Sequence, residues 1–222
     1  MLSYKGQGVT ETVSNIPEKP LGYRFIKRLF DIVFSALAII IGIIPTIILC
    51  ILVIIDTKGA PFFLQDRVGK NGRDFKIVKF RTMVADAEDF DKYFNEEQLT
   101  IWELEHKLED DPRVTKVGRF LRKYSIDEMP NFLNVFIGQM SVVGPRAITR
   151  EELEFFGDDA DLMLSVPAGV TGWWQVSSRN DATFESGERQ ELELYYARNA
   201  SLALDAKIFI KTFSSVFGGT GI

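Results

Sequence analysis

Two adjacent carboxylates, Asp127-Glu128, are the residues whose types and spacing most directly suggest chemistry. Ser125 precedes them, and a serine followed three residues later by glutamate is typical of a capping box, which predicts a helix over residues 128–137. The positive end of a helix dipole stabilises an ionised carboxylate and favours bound phosphate. We therefore expect Asp127 to be an ionised nucleophile or metal ligand beside a phosphate site, with a different role for Glu128. The alternative is that the pair only caps the helix.

Basic side chains near this pair would offset the repulsion between a carboxylate and a phosphate. Four of them recur before the pair at spacings of three and four and would form a basic stripe on one helix, with Arg122 beside them: Arg113, Lys116, Arg119 and Lys123. Gly144-Pro145-Arg146 predicts a tight turn that presents a further arginine. An ordinary solvated helix shows the same stripe, so its meaning depends on the carboxylates that follow it.

A long apolar run over residues 32–55 contains no charged side chain and is bracketed by Asp31 and Asp56. A spanning helix needs about 20 apolar residues, so the run is long enough to cross a bilayer. Pro45 divides it into segments of 13 and 10 residues, each too short to cross alone, and proline bends a helix. Basic residues flank both ends, whereas a spanning helix normally has them on one side. A spanning helix and a re-entrant helix that leaves by the face it entered both fit these features.

Composition excludes several functional classes. The 222 residues are 46% hydrophobic and 26% charged, which excludes a disordered chain and a polytopic membrane protein. Residues 1–85 hold 12 basic and 6 acidic side chains, an excess that suits an anionic membrane surface. A nucleic-acid-binding domain would be basic throughout, so we expect no nucleic acid as a partner. With one cysteine and one histidine, a zinc or iron–sulfur centre is excluded, and any metal would be a hard cation.

The rest of the chain predicts a mixed fold. Two β-rich stretches, Phe62–Val68 and Asp74–Phe80, flank an Asn-Gly turn signal and predict a hairpin. Residues 86–110 are acidic and compatible with helix, as a solvated helix or a mobile flap. Residues 188–217 predict helices whose apolar faces pack on the core or rest on lipid headgroups.

Several motifs, taken in order, resemble one family closely. They are Lys27-Arg28-Leu29-Phe30-Asp31, the proline-broken apolar helix, Gln65-Asp66-Arg67-Val68-Gly69, Lys79-Phe80-Arg81-Thr82-Met83, the segment from Arg122 to Pro130, Gly144-Pro145-Arg146, and the segment from Pro167 to Trp173. The family is that of the bacterial sugar transferases known as monotopic phosphoglycosyl transferases. The resemblance extends from about residue 23 to the C-terminus.

The resemblance implies transfer of a sugar 1-phosphate from a UDP-sugar, a hexose such as galactose or glucose, to undecaprenyl phosphate. UMP is released in a ping-pong reaction that begins the assembly of an exopolysaccharide, capsule, O-antigen or glycoconjugate. Asp127 would attack the phosphate next to the sugar and form an aspartyl phosphosugar, with Glu128 completing the dyad. Mg²⁺ would bridge Asp127 and the diphosphate. The implied phosphate- and nucleotide-binding residues are Lys79, Arg81, Arg122, Arg146 and Arg179.

The implied fold is α+β and mainly helical: a re-entrant membrane helix bent at Pro45, and a cytoplasmic catalytic domain with a small β-hairpin and interfacial helices. The predicted divisions are a flexible tail (1–22), the re-entrant helix (23–57) and the catalytic domain (58–222). The location would be the bacterial inner membrane, with the catalytic domain facing the cytoplasm and a homodimer possible. Two other functions are open, namely a non-enzymatic membrane-anchored adaptor of polysaccharide assembly and a nucleotide-sugar hydrolase.

Overall fold

The computed structural model describes residues 16–105, 108, 110–177 and 186–217, with the side chains of 103–105 and 213–217 left aside. Most of the predicted tail therefore lies outside the described residues. The helices are α1 (Leu21–Thr57), α2 (Phe90–Tyr93), α3 (Glu96–Glu105), α4 (Lys116–Lys123), α5 (Phe132–Ile137), α6 (Arg150–Glu154), α7 (Ala160–Met163), α8 (Trp173–Ser177), α9 (Glu188–Asn199) and α10 (Leu202–Phe217). The strands are β1 (Phe62–Val68), β2 (Asp74–Phe80), β3 (Ser141–Val143) and β4 (Gly169–Thr171). The fold is α+β and mainly helical, as predicted.

Helix α1 carries the apolar run and is helical on both sides of Pro45. Its middle is exposed, with Ile41 at 74% and Ile44 at 70% of their full accessibility. A core helix of a water-soluble protein would bury these side chains, so α1 has the surface of a membrane-anchoring helix.

Both ends of α1 contact the globular part of the molecule, which comprises the described residues from 58 onward. Near the first end, the Asp31 carboxylate accepts hydrogen bonds from the Ser141 hydroxyl and the Val142 amide, both at 2.9 Å. At the second end, the Asp56 carboxylate accepts a hydrogen bond from the Val117 amide at 2.9 Å. The two charged residues that bracket the apolar run are therefore attached to one folded body.

The hairpin forms as predicted. Strands β1 and β2 pair antiparallel, with Phe62 opposite Phe80 and Val68 opposite Asp74. The turn uses positive φ at both Asn71 and Gly72, a conformation that these two residue types adopt with little steric cost. Buried side chains of β2 join the main core, which also draws on α5, β3, α9 and α10.

The predicted capping box at Ser125 is wrong. Ser125 adopts a left-handed conformation with φ 55° and makes no capping hydrogen bond, because a capping side chain needs an extended backbone at that position. A short 3₁₀ helix, Ile126–Asn131, follows it and leads into α5, so the predicted helix over 128–137 is 3₁₀ in its first part. A complete capping box occurs instead at the start of α6, between Thr149 and Glu152.

The predicted basic stripe is also wrong at its first member. Helix α4 begins only after Thr115, which caps it, so Arg113 is not on the helix. The Arg113 guanidinium is buried, pairs with Asp111 at 2.6 Å, and lies 5.1, 4.4 and 4.2 Å from three ring centroids, those of Phe90, Phe94 and Trp102. Arg113 therefore anchors the acidic region that contains α2 and α3.

Candidate active site

Asp127 lies in the first turn of the 3₁₀ helix, in a partly buried position. Burial raises the pKa of its carboxyl above the usual value, and the neighbouring charge of Glu128 raises it further. The positive charges of Lys79 and Arg122 act in the opposite direction. The sequence predicted that a helix dipole would stabilise the ionised form of Asp127 and so lower its pKa. The pKa is raised instead, because the dipole of a six-residue 3₁₀ helix is too small to overcome burial.

Glu128 is held by two cations. Its Oε1 accepts a hydrogen bond from Lys79 Nζ at 2.8 Å and lies 3.9 Å from Arg146 Nη1. Lys79 and Glu128 are each less than one fifth exposed, so dissolved salt weakens this ion pair less than it weakens an exposed one. The structure thus brings two of the predicted cations, Lys79 and Arg146, to one carboxylate oxygen of the predicted Glu128.

Arg122 is positioned from the other side, by α4. Its Nε donates to the Thr82 hydroxyl at 2.9 Å, and its charge acts on Asp127. The helix can approach this closely because Gly118 faces the Thr82 carbonyl, where an added Cβ would lie only 2.0 Å from the oxygen. A glycine is therefore required for Arg122 to reach the site.

Arg146 lies two residues after Gly144, where the backbone of the Gly144 turn packs directly against the backbone around Gly169. A Cβ on Gly144 would lie 2.3 Å from the Pro167 carbonyl oxygen, and one on Gly169 would lie 2.1 Å from the Gly144 amide. The parallel pairing of β3 with β4 sets this contact. The Arg146 amide then donates to the carboxylate of Glu193 at 3.2 and 3.3 Å.

Two predicted residues have other outcomes. The Arg81 Nε donates to the Ala60 carbonyl at 2.9 Å, and its guanidinium lies 5.9 Å from the centre of the Phe63 ring. Arg81 thus contacts the start of the hairpin rather than joining the group around Glu128 Oε1. Arg179 lies outside the described residues. The roles of both in substrate binding stay predictions.

Four residues near the site were not predicted. Arg67 and Asn131 line a small cleft together with Lys79, Glu128 and Arg146. Behind it lie Glu193, fully buried, with its pKa raised to about 7 by burial, and Arg189, with its pKa lowered to about 10 for the same reason. Arg67 belongs to the Gln65–Gly69 motif that contributes to the family resemblance, so this motif could have indicated that Arg67 lies near the site. The burial of Glu193 depends on tertiary packing and had no local signal.

A magnesium ion fits the oxygen donors of the site. Mg²⁺ in phosphoryl-transfer enzymes is held by one or two carboxylates together with substrate phosphate oxygens. Within the described part of the chain, no group of three or more metal-binding side chains occurs, but the Asp127-Glu128 pair is present. Because Lys79 engages Glu128, Asp127 is the better placed of the two as a ligand.

Comparison with known proteins identifies the family. A family model described as bacterial sugar transferase matches residues 22–219, which is most of the chain. The chain belongs to the bacterial sugar transferase family. Its membership makes it a transferase and agrees with the resemblance drawn from the motifs. The matched range includes the membrane-anchoring helix as well as the Asp127-Glu128 cleft.

Individual relatives are similar over the same region. The chain is 39% identical to UDP-galactose-lipid carrier transferase of Erwinia amylovora over 89% of its own length, but spans only 42% of that protein. It is 40% identical to undecaprenyl-phosphate galactose phosphotransferase of Salmonella typhimurium, again spanning 42% of the relative. Exopolysaccharide production protein ExoY of Sinorhizobium fredii is 40% identical and is matched over 84% of its length.

Proposed function

We propose that this transferase moves a sugar 1-phosphate from a UDP-sugar to undecaprenyl phosphate and releases UMP. The observation that carries the proposal is the set of cations around the Asp127-Glu128 pair. Lys79 and Arg146 contact Glu128, and the charges of Lys79 and Arg122 act on Asp127. Such an arrangement provides one carboxylate for attack and several cations for a diphosphate. Two relatives support these substrates by their names, UDP-galactose-lipid carrier transferase and undecaprenyl-phosphate galactose phosphotransferase.

In the first half-reaction, an Asp127 oxygen attacks the phosphorus that bears the sugar. The bond from that phosphorus to the bridging oxygen breaks, UMP leaves with the electron pair, and an aspartyl phosphosugar remains. Lys79, Arg122 and Arg146 supply positive charge around the phosphoryl group as it moves. The same cations reduce the repulsion between the attacking carboxylate and the diphosphate.

In the second half-reaction, a phosphate oxygen of undecaprenyl phosphate attacks the same phosphorus. The bond to Asp127 breaks, which restores the carboxylate and gives an undecaprenyl diphosphate sugar. Glu128 holds Lys79 and Arg146 at the site in both steps, because both cations converge on its Oε1. Asp127 would be the protein ligand of Mg²⁺. A bound magnesium ion would neutralise negative charge on the phosphate oxygens.

The donor is proposed to be a hexose such as galactose or glucose. Three relatives are named for galactose or galactosyl transfer, but a further one, from Aeromonas hydrophila, is named as an N-acetylgalactosaminephosphotransferase at 35% identity. Exopolysaccharide production is named for relatives from two rhizobial species, which supports a role at the first membrane step of such a pathway.

A re-entrant anchor is proposed for α1. Asp31 and Asp56 are both bonded to the globular part, and Gly42, midway between them, lies near the Met129 side chain. A helix that crossed a bilayer would place about 30 Å of hydrocarbon between its ends, so one water-exposed domain would not reach both. This geometry supports a single face, which we propose to be the cytoplasmic face of the inner membrane.

The decisive test of the function is Asp127→Asn. The amide cannot act as the nucleophile, so UMP release from UDP-galactose or UDP-glucose with Mg²⁺ and undecaprenyl phosphate is expected to fall by at least about 10³-fold. Wild-type protein incubated without lipid should carry a phosphosugar adduct in its intact mass, and the variant should not. Asp158→Asn, on an exposed carboxylate, is the control. Full turnover by Asp127→Asn would exclude the mechanism, and undiminished UMP release without lipid would indicate a hydrolase.

A further inference from the structure

The residues that line the cleft beside Glu128 fall into two groups by their chemistry, which we call the charged wall and the uncharged wall. One carries charge and includes Arg67, Lys79, Glu128 and Arg146. The other is uncharged and combines two side-chain amides with apolar groups: Asn131, Gln175, Ile77, Met140, Ala147 and Val170. The proposed phosphate chemistry uses only the charged wall, so the uncharged wall has no role in it.

Asn131 lies on the same face of the 3₁₀ helix as Glu128. Such a helix has 3.0 residues per turn and rises about 2 Å per residue, so side chains three positions apart eclipse each other at a separation of about 6 Å. Glu128 and Asn131 are three positions apart within Ile126–Asn131. The amide therefore follows Glu128 directly along the cleft.

The amides of the uncharged wall have unused hydrogen-bonding capacity. Asn131 is 3% exposed, yet its buried Oδ1 has no partner among the described residues. Gln175 donates from Nε2 to the Val170 carbonyl at 3.2 Å, and its buried Oε1 also has no partner in the described part of the chain. Buried polar atoms without partners cost stability, so their presence in a cleft points to a ligand that supplies the missing bonds.

We propose that Asn131 and Gln175 form the subsite that recognises the hydroxyl groups of the donor sugar, an inference that rests on the proposed function. The sugar is bonded to the phosphorus that Asp127 attacks, so it must lie within one group of the dyad. Side-chain amides both donate and accept hydrogen bonds, as hydroxyl groups do. The apolar neighbours Ile77, Met140 and Val170 provide a surface for the C–H face of a pyranose ring.

The uracil ring is the other uncharged part of the donor, and it fits this wall less well. Uracil is separated from the attacked phosphorus by the second phosphate and the ribose. Protein sites for bases commonly stack them on aromatic rings, and none of the described residues that line this cleft is aromatic. The position and the lining therefore favour the sugar.

The test compares donor sugars in the full chain with undecaprenyl phosphate and Mg²⁺. UDP-galactose and UDP-glucose differ only at the C4 hydroxyl, and UDP-N-acetylgalactosamine adds a change at C2. Asn131→Ala and Gln175→Ala are expected to change the ratio of kcat/KM between the preferred sugar and at least one of the others by about 10-fold. The inhibition constant of UMP, which contains no sugar to be transferred, should stay as in the wild type.

Asn134 provides a matched control three residues away. Its Nδ2 donates to the Lys76 carbonyl at 2.8 Å and to Gln139 Oε1 at 2.7 Å, and it does not line the cleft. Its Oδ1 is also buried without a described partner, so the two asparagines differ in that only Asn131 lines the cleft. Asn134→Ala should lower the melting temperature and leave the sugar ratios unchanged, whereas Asn131→Ala should melt close to the wild type.

Three results would overturn the subsite. An equal loss with every sugar together with weaker inhibition by UMP would assign the amides to the nucleotide. Unchanged kinetics in both variants would show that the amides do not contact the donor. A wild-type chain that released UMP from none of these donors would reject the proposed function itself, and the subsite with it.

Discussion

At the residue scale, Asp127 and Glu128 are adjacent but have different surroundings. Asp127 is the desolvated carboxylate whose pKa rises through burial, whereas Glu128 is engaged by Lys79 at 2.8 Å and approached by Arg146. Successive residues of a 3₁₀ helix project about 120° apart, so one side chain can face the substrate while the other organises cations. From this geometry and the burial of each group, we expect the two carboxylates to have different roles.

Lys79→Met tests the cation that holds Glu128. Removal of Lys79 leaves a largely buried carboxylate without its closest partner and withdraws a positive charge from Asp127, so kcat/KM for UMP release should fall about 100-fold. Lys76→Met is the control, because Lys76 lies on the same strand in an exposed ion pair with Asp66 at 2.9 Å. The control should stay within about twofold of the wild type. Equal effects of the two changes would contradict the assignment.

Glu193 gives stability a predictable pH dependence. Burial raises its pKa from 4.5 to about 7, so between these values the folded state keeps a proton that the unfolded chain releases. The contribution of this group to the free energy of unfolding therefore decreases by about 3 kcal/mol as pH rises from about 4.5 to 7. Above pH 7 it stays constant. Glu193→Gln keeps an oxygen for the Arg146 amide but does not titrate.

Denaturant unfolding in detergent micelles at pH 5, 6, 7 and 8 measures this effect. The stability of Glu193→Gln relative to the wild type should increase from pH 5 to pH 7 and then level off. Glu154→Gln, on an exposed side chain, serves as the control and should track the wild type at every pH. A difference between Glu193→Gln and the wild type that did not vary with pH would show that the buried carboxyl does not titrate in this range.

At the element scale, short segments are placed by close backbone contacts and buried side chains rather than by long regular structure. Helix α4 reaches the site through Gly118, and the turn with Arg146 is set by the Gly144–Gly169 contact. The acidic region with α2 and α3 is attached through Arg113 and its ring contacts. These contacts attach the region to the globular part, and its two sequence interpretations, a solvated helix and a mobile flap, both stay predictions.

Gly118→Ala tests the placement of α4. The added methyl group would lie 2.0 Å from the Thr82 carbonyl oxygen, so the helix must move outward and Arg122 must lose its bond to Thr82. We expect a loss of about 2–3 kcal/mol in the free energy of unfolding, together with reduced UMP release. Gly22→Ala, with nothing within 4 Å of the added group, should be neutral or slightly stabilising. Wild-type stability of Gly118→Ala would mean that α4 does not need this contact.

At the scale of the whole molecule, the arrangement of α1 against the globular part determines where the chemistry occurs. The helix contacts that part near both ends and, at Gly42, beside Met129, the residue after the dyad. The dyad therefore lies close to the middle of the anchor in space. The possible homodimer stays a prediction.

Cysteine labelling tests the side of the membrane on which each end lies. In a Cys50→Ala background, single cysteines at Glu18 and Ala60, which flank α1, are treated with a membrane-impermeant maleimide in sealed inverted vesicles. Because both ends of α1 contact one domain, both positions should label from the cytoplasmic side and neither from the opposite side. Labelling of the two positions from opposite sides would establish a spanning helix.

The sequence by itself determined the hairpin with its bounds, the apolar anchor and the Asp127-Glu128 pair, because each depends on neighbouring residues: alternation, an Asn-Gly turn, an uncharged run, a family motif. Only the tertiary structure decided the 3₁₀ geometry at the dyad, the burial that raises the pKa of Glu193, and the position of Asn131 in the cleft. Those properties arise from contacts between residues far apart in the chain. Ser125 illustrates the difference. The local sequence matches a capping box, but the left-handed backbone at Ser125 prevents its side chain from capping the helix.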